Sequence, residues 1–211
     1  MDATTAPNTS RRGGRGARER ILQTAARLFY RHGIHATGVA ALTDAAHVST
    51  RTFYQHFATK NALVEAYLRR YETDTPIAAE QQLDRADLPA SERLLAIFDP
   101  LGADPFAIVR GCPFHNAAVE AAGEIPGVAH LAAQHKQAFR DRLTATAAEA
   151  GAADPHSLGR QLAVLFEGAN ALSTSCNDRQ VIADARHAAA TLIQAALGPA
   201  GAGHLAGTPQ A

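Results

Sequence analysis

The sequence predicts an all-α fold: an N-terminal three-helix domain built around a helix-turn-helix, followed by a body of roughly six helices. Three observations carry this. Alanine dominates the composition, and runs of β-branched or aromatic residues long enough for strands are few. Apolar residues recur three and four positions apart, the period of a half-buried helix. The punctuation between those segments is that of helix ends, with Gly33, Pro76, Pro89, Gly123, Pro126, Gly151 and Pro155 at the breaks.

The 211 residues leave room for one or two domains with a sizeable core. Composition divides them into a basic arm over 1–14 that reads as disordered, a head over 15–62, a body over 63–198, and a Gly-, Ala- and Pro-rich tail over 199–211 that also reads as disordered. Cys112 and Cys176 are the only cysteines, which argues against a disulfide-built secreted module and for the reducing cytoplasm. No run of eighteen apolar residues occurs and the N-terminus lacks an apolar signal core, so no membrane partner is expected. The chain is neutral overall, yet residues 1–60 hold nine Lys and Arg against three acids, and the remainder holds eleven against seventeen. A basic head on an acidic body points to a polyanionic partner for the head.

Helix 1 is expected over about 17–32, with Ile21, Leu22, Ala25, Leu28 and Phe29 on its core face and Gly33 ending it. Ile34 plugs the gap before Thr37 opens the second helix, whose inner stripe is Val39, Leu42 and Ala46. His47 and Val48 make the turn, and Ser49 caps a short helix over 50–57 that buries Phe53 and Phe57. Its other faces carry Thr50, Arg51, Thr52, Tyr54, Gln55 and His56, all hydrogen-bonding groups and none a carboxylate. That is the dress of a helix that reads DNA. Thr59 caps the fourth helix and sets Lys60 at its positive end, while Leu63, Ala66, Tyr67 and Tyr71 tie that helix to the body. Further helices are expected at about 77–85, 90–102, 105–122, 127–151, 155–176 and 179–197.

These residues carry a resemblance. Thr37-x-Val39-x-x-Leu42, Ala46-x-Val48-Ser49, and Thr52-Phe53-Tyr54-x-His56-Phe57-x-x-Lys60-x-x-Leu63-Val64 resemble the TetR/AcrR family of bacterial transcriptional regulators. The preceding ILQTAARLFYRHG is similar too, as is Gly111-Cys112-Pro113-Phe114 with Asn116 after it and His135-Lys136 further on. The resemblance implies a homodimer that binds a double-stranded, pseudo-palindromic DNA operator through its head. It also implies effector binding and dimerisation by the body, most often as a repressor released by a small molecule. Thr37, Tyr54, His56 and Lys60 match positions that contact phosphates; Thr50, Arg51, Thr52 and Gln55 match positions that face the major groove. The chemistry agrees, since Arg51 can donate two bonds to guanine and Gln55 can pair with adenine. Two positions depart from the family pattern. Thr43 stands where Ala is usual, so its hydroxyl needs a carbonyl partner one turn back. His47 stands where Gly is common, so it has to accept a left-handed backbone.

In the body, Cys112, Asn116 and Glu120 with Phe98, Phe139 and Phe166 could line an apolar cavity with polar anchors, and His135 is a candidate second anchor beside Asn116. Leu158, Leu162, Leu165 and Ala169, with Ile182, Ala185, Ala189 and Leu192, form broad apolar stripes that read as a dimer surface between two helix pairs. Cys112-x-x-His115 could offer two ligands to a metal, but no second pair completes a site, and neither metal nor cofactor is expected. A thiol near the basic His115 could be partly ionised, which leaves a redox role for Cys112 open beside a plain buried one. No nucleophile elbow, paired carboxylates, phosphate loop or dinucleotide fingerprint occurs, so an enzyme is not expected. The alternatives are a small-molecule-modifying enzyme using Cys112 and His135, or a DNA-binding activator sharing the same head.

Overall fold

A computed structural model describes residues 13–73, 77–101, 111–121 and 123–198, and every regular element among them is helical. Of the arm read over 1–14, residues 1–12 lie outside the described residues, as does the tail over 199–211, while Gly13 and Gly14 belong to a helix. Helix α1 (Gly13–His32) starts earlier than its apolar pattern predicts, taking in Gly13 and Gly14. Its inner face buries Ile21, Leu22, Ala25 and Phe29. Gly33 ends it with φ at +89°, its amide donating back to the Phe29 carbonyl at 2.9 Å.

Helices α2 (Val39–Ala45) and α3 (Thr50–His56) form the helix-turn-helix. Thr37 does not open α2. Gly38 holds the cap position, and Thr37 turns inward so that its hydroxyl donates to the Gly33 carbonyl at 2.7 Å. His47 takes the left-handed conformation (φ 51°), and the Thr43 hydroxyl donates to the Ala40 carbonyl at 2.9 Å. Both departures from the family pattern are therefore accommodated locally. Ser49 caps α3 by accepting from the Thr52 amide at 3.0 Å, and Thr59 caps α4 (Lys60–Thr73) by accepting from Ala62 at 3.0 Å.

The body consists of α5 (Ala78–Gln81) running into a 3₁₀ turn (Gln82–Asp84), α6 (Ala90–Ala96), α7 (Pro113–Ala121), α8 (Pro126–Glu149), α9 (Pro155–Cys176) and α10 (Gln180–Leu197). Two expectations change here. The helix foreseen over 90–102 stops at Ala96 and gives way to turns. The one foreseen over 105–122 is described only from 111, and its helix begins at Pro113, with Phe106 and Val109 outside the described residues. Pro113 suits a first helical turn because its missing amide has no intrahelical partner there. The carbonyl of Cys112 accepts the opening bond from Asn116 at 3.0 Å, which makes Cys112 the residue just before the helix. Asp154 caps α9 through the Ser157 amide at 2.9 Å, and left-handed Asn177 (φ 50°) ends it.

The buried apolar residues form two clusters. One joins the head to Leu63, Val64, Tyr67 and Leu68 of α4, to Phe114, Ala117 and Ala121 of α7, and to Val128 and Leu131 at the start of α8. The other joins α6 to the second half of α8, to α9 and to α10. At about 1.5 Å per residue, the 24 residues of α8 are long enough to serve both. Helices α8 and α9 approach backbone to backbone at Gly159, where a Cβ would lie 2.5 Å from the Thr144 hydroxyl and 3.0 Å from its amide.

This packing corrects the stripes read as a dimer surface. Leu158, Leu162, Ala169, Ile182, Ala185 and Ala189 are buried within a single chain, and Leu165 and Leu192 pack against the same core. The stripes are broad because α9 and α10 bury against each other and against α8 and α6. The outward face of α9 instead shows Val164 and Leu172, 72% and 51% exposed. Among the described residues no helix is long and apolar enough to cross a membrane.

Candidate functional site

Two places gather polar side chains. The first is the outer face of α3. Its N-cap and the left-handed turn before it aim Thr50, Arg51, Tyr54 and Gln55 into solvent, while Phe53 and Phe57 anchor the opposite side. Tyr54 is held by the edge of its ring on Phe53, centroids 5.2 Å apart. Thr52 and His56 are half-buried, and the Thr52 hydroxyl pairs with Ser49 at 2.8 Å. Arg18 of α1 lies over the Phe57 ring at 5.3 Å, and Arg20 donates to the Ala46 carbonyl at 3.4 Å. These α1 arginines, which extend the basic surface beside the motif, were legible only as part of the head's charge excess. Two residues stand apart from that face. Thr37 is 3% exposed, so its side chain braces the α1–α2 turn and cannot contact a phosphate in this arrangement. Lys60 is half-buried at the α4–α7 junction; burial lowers its pKa, only partly offset by the charges of Glu120 and Glu124.

The second place is a cavity of about 240 Å³ between α1, α7 and α9. Phe29, Tyr30 and Gly33 line it from the head; Cys112, Asn116, Val119 and Glu120 line it from α7 and the residue before it; Asn170, Ala171 and Thr174 line it from α9. The head contribution was missed by sequence reasoning, as was that of α9. The polar Asn170, Ser173 and Thr174 interrupting an apolar helix were the available signal. Glu120 also leaves the cavity to grip the head. Its carboxylate accepts from the Ile34 amide at 2.6 Å and the His35 amide at 3.3 Å, and the His35 ring pairs with the Glu120 carbonyl. Gly33 makes room for this, since a Cβ there would sit 2.8 Å from the Glu120 carboxylate.

The structure thus brings Cys112, Asn116 and Glu120 together but not the rest of the sequence-derived set. Phe98, Phe139 and Phe166 pack on one another, with centroids 6.0 Å apart for Phe98–Phe166 and 5.1 Å for Phe139–Phe166. They fill the second core, because that is where α6, α8 and α9 converge. His135 lies behind Cys112, stacked flat on Phe114 with centroids 3.7 Å apart, and does not line the cavity.

Cys112 is the centre of a charged cluster. The Lys136 ammonium is 3.2 Å from its sulfur and also pairs with Glu167. His135 hydrogen-bonds Cys112, and its Nε2 meets Glu80 of α5 at 2.9 Å. Glu80 in turn lies 3.6 Å from Arg142. Burial alone pushes the Cys112 thiol up, but the His135 hydrogen bond, the Lys136 charge and the His115 amide together bring it below the ordinary thiol value. Burial works against His135 as well, yet Cys112 and Glu80 push it up to about 9. Lys136 is likewise raised against its burial by Cys112 and Glu167. His115, three residues after Cys112, is exposed and lines the same cavity. Among the described residues no group of three or more His, Cys, Asp or Glu is arranged to hold a metal ion.

A helix-turn-helix head with a polar, carboxylate-free second helix, set on a helical body, defines a DNA-binding transcriptional regulator. The chain belongs to the TetR family. The model of bacterial regulatory proteins of the tetR family matches residues 21–67, and that of the tetracyclin repressor-like C-terminal domain matches residues 90–189. A TetR-family transcriptional regulator from Streptomyces coelicolor superimposes with a TM-score of 0.76 at 29% identity, covering 87% of this chain and 97% of that one. A TetR-type regulator from Streptomyces avermitilis gives 0.68 at 31% identity, covering 82% and 97%. Among curated proteins, the HTH-type transcriptional repressor KstR2 of Rhodococcus jostii is 36% identical over 74 residues, 35% of each chain. The match spans about a third of that relative's length.

Proposed function

We propose that the protein is a homodimeric repressor that binds a pseudo-palindromic operator and is released when a small molecule enters the α1–α7–α9 cavity. The observation that carries this reading is Glu120. It belongs at once to the cavity wall and to the turn that seats the helix-turn-helix, through Ile34 and His35. A molecule that parts α7 from α1 has to break or strain those bonds. The two head positions would then no longer present α3 helices at the roughly 34–36 Å spacing of successive major grooves. This is a population shift between two arrangements, biased by whichever ligand prefers one of them. Helix α4 supplies a second link, since Tyr71 packs on Phe114 at 6.1 Å and Tyr67 on Phe29 at 5.5 Å. The outward Val164 and Leu172 of α9 support a dimer face there, and the repressor name of the Rhodococcus relative supports repression.

In this reading Arg51 and Gln55 read bases, and Tyr54, His56 and the α1 arginines hold phosphates. A gel shift on DNA upstream of the protein's own gene, at two salt concentrations, tests it. Expected is a steep salt dependence with the sequence preference retained; binding with no preference over random DNA would overturn it. A second reading, an enzyme acting through Cys112, draws on the line Cys112–His135–Glu80. Catalytic turnover of a small molecule, in place of a single stoichiometric event, would favour it.

A further inference from the structure

Cys112 is a nucleophile that DNA reading does not use. It stands immediately before α7, where the first helical amides have no partner within the helix and the helix dipole favours negative charge. Three proton-donating groups from two helices converge on its sulfur: the His115 amide, the His135 ring and the Lys136 ammonium at 3.2 Å. Two carboxylates hold those donors in turn, Glu80 on His135 and Glu167 on Lys136. A buried neutral thiol needs none of this. The arrangement stabilises a thiolate, the reactive form of cysteine. The residue carrying it also forms part of the wall of the 240 Å³ cavity, which abuts the head. The chain supplies its own control in Cys176, which is also free but exposed at the end of α9.

We propose that Cys112 is a covalent capture site for small α,β-unsaturated carbonyl compounds entering this cavity. A sulfur anion is a soft nucleophile, and the β-carbon of an enone is a soft electrophile that needs no oxidant to react. The Cys112 sulfur forms a bond to the β-carbon, and the C=C π pair moves toward the α-carbon and carbonyl oxygen. Water in the cavity then gives a proton to the α-carbon, and the hydroxide formed is neutralised by the proton that leaves His135 once the sulfur carries no charge. The net change is addition of one S–H across one double bond, with no leaving group and no electron acceptor. Bound there, the adduct lies between α1 and α7, next to the Glu120 contacts with Ile34 and His35. The inference rests on the reading of this cavity as the effector site and names the chemical class of the effector.

Methyl vinyl ketone, added to the whole chain at about one equivalent, tests it by peptide-resolved mass spectrometry on both cysteines in the same sample. Cys112 is expected to take one equivalent at least about tenfold faster than Cys176 near pH 6, and its rate is expected to level off at lower pH than that of an ordinary thiol. His135→Gln is expected to move the levelling-off toward the ordinary thiol range. Labelling of Cys176 ahead of Cys112, or a Cys112 profile that ignores His135→Gln, overturns the proposal without reference to any variant's DNA binding. Fluorescence anisotropy on operator DNA separates the two readings. An adduct at Cys112 with DNA affinity unchanged upholds the capture site and sinks the effector reading. Release by the ketone with no adduct at Cys112 does the reverse.

Discussion

The outer face of α3 and the Cys112 cluster both collect polar groups, but in opposite surroundings. Arg51 and Gln55 stand in water and cost the fold nothing, and in the proposed reading they express their energy only against a base edge. Cys112, His135, Lys136, Glu80 and Glu167 are drawn in from three helices and the residue just before a fourth, and depend on one another's charge. Breaking one member of such a set leaves its partner withdrawn from water without compensation. The difference teaches that a displayed site can be altered independently of stability. In an enclosed one, stability, pH response and reactivity change together.

Four substitutions probe this contrast. Phe114 is fully buried, stacked on His135 and met edge-on by Tyr71. Phe114→Ala is expected to lower unfolding free energy by about 3–5 kcal/mol in urea titration, and a loss below about 1 kcal/mol would show the cluster to be less coupled than its packing implies. Arg51→Ala is expected to relax selectivity at one operator position by about 1–3 kcal/mol while leaving stability within about 0.5 kcal/mol. Uniform weakening across all sequences would reassign Arg51 to phosphate contact. His135 binds its proton more tightly folded than unfolded, so its contribution is complete below the ordinary imidazole range near 6.5 and is lost as pH rises through about 9. In His135→Gln the stability-versus-pH curve should be flatter over that window, by at most about 1.4 kcal/mol per pH unit; an unchanged slope would show that the ring is not the titrating group. Ser49→Ala removes the cap of α3 and should cost about 1 kcal/mol, with no change in that pH curve.

The same contrast explains what could be read before the fold was known. The head is specified by neighbours in sequence: Gly33 ends one helix, His47 turns the next, and Ser49 starts α3 four residues before Phe53 anchors it. Each signal acts within one or two turns, so spacing alone reveals it. The cavity depends on residues from α1, α7 and α9 that share no spacing. The pair Cys112-x-x-His115 looked like two groups on one helical face. Because the helix begins at Pro113, however, His115 takes an exposed place on the cavity wall, and the sulfur's ring partner is His135 from α8. Phe98, Phe139 and Phe166 have the same apolar character whether they wall a cavity or fill a core, and only helix placement decides between them. The stripes on α9 and α10 were real, but their width was used up inside one chain. Thr37 sits in a motif associated with phosphate contact, and only its burial and its bond back to Gly33 show it facing inward.

The apolar cluster that runs from Ile21 and Phe53 through Tyr67 to Phe114 and Val128 has a thermodynamic consequence. Because head and upper body share one core, melting either exposes the other. The residues of this cluster should unfold as a single cooperative unit, with amide exchange in α1 slowed by whatever fills the cavity at α7 and exchange at Phe114 slowed by DNA held at α3.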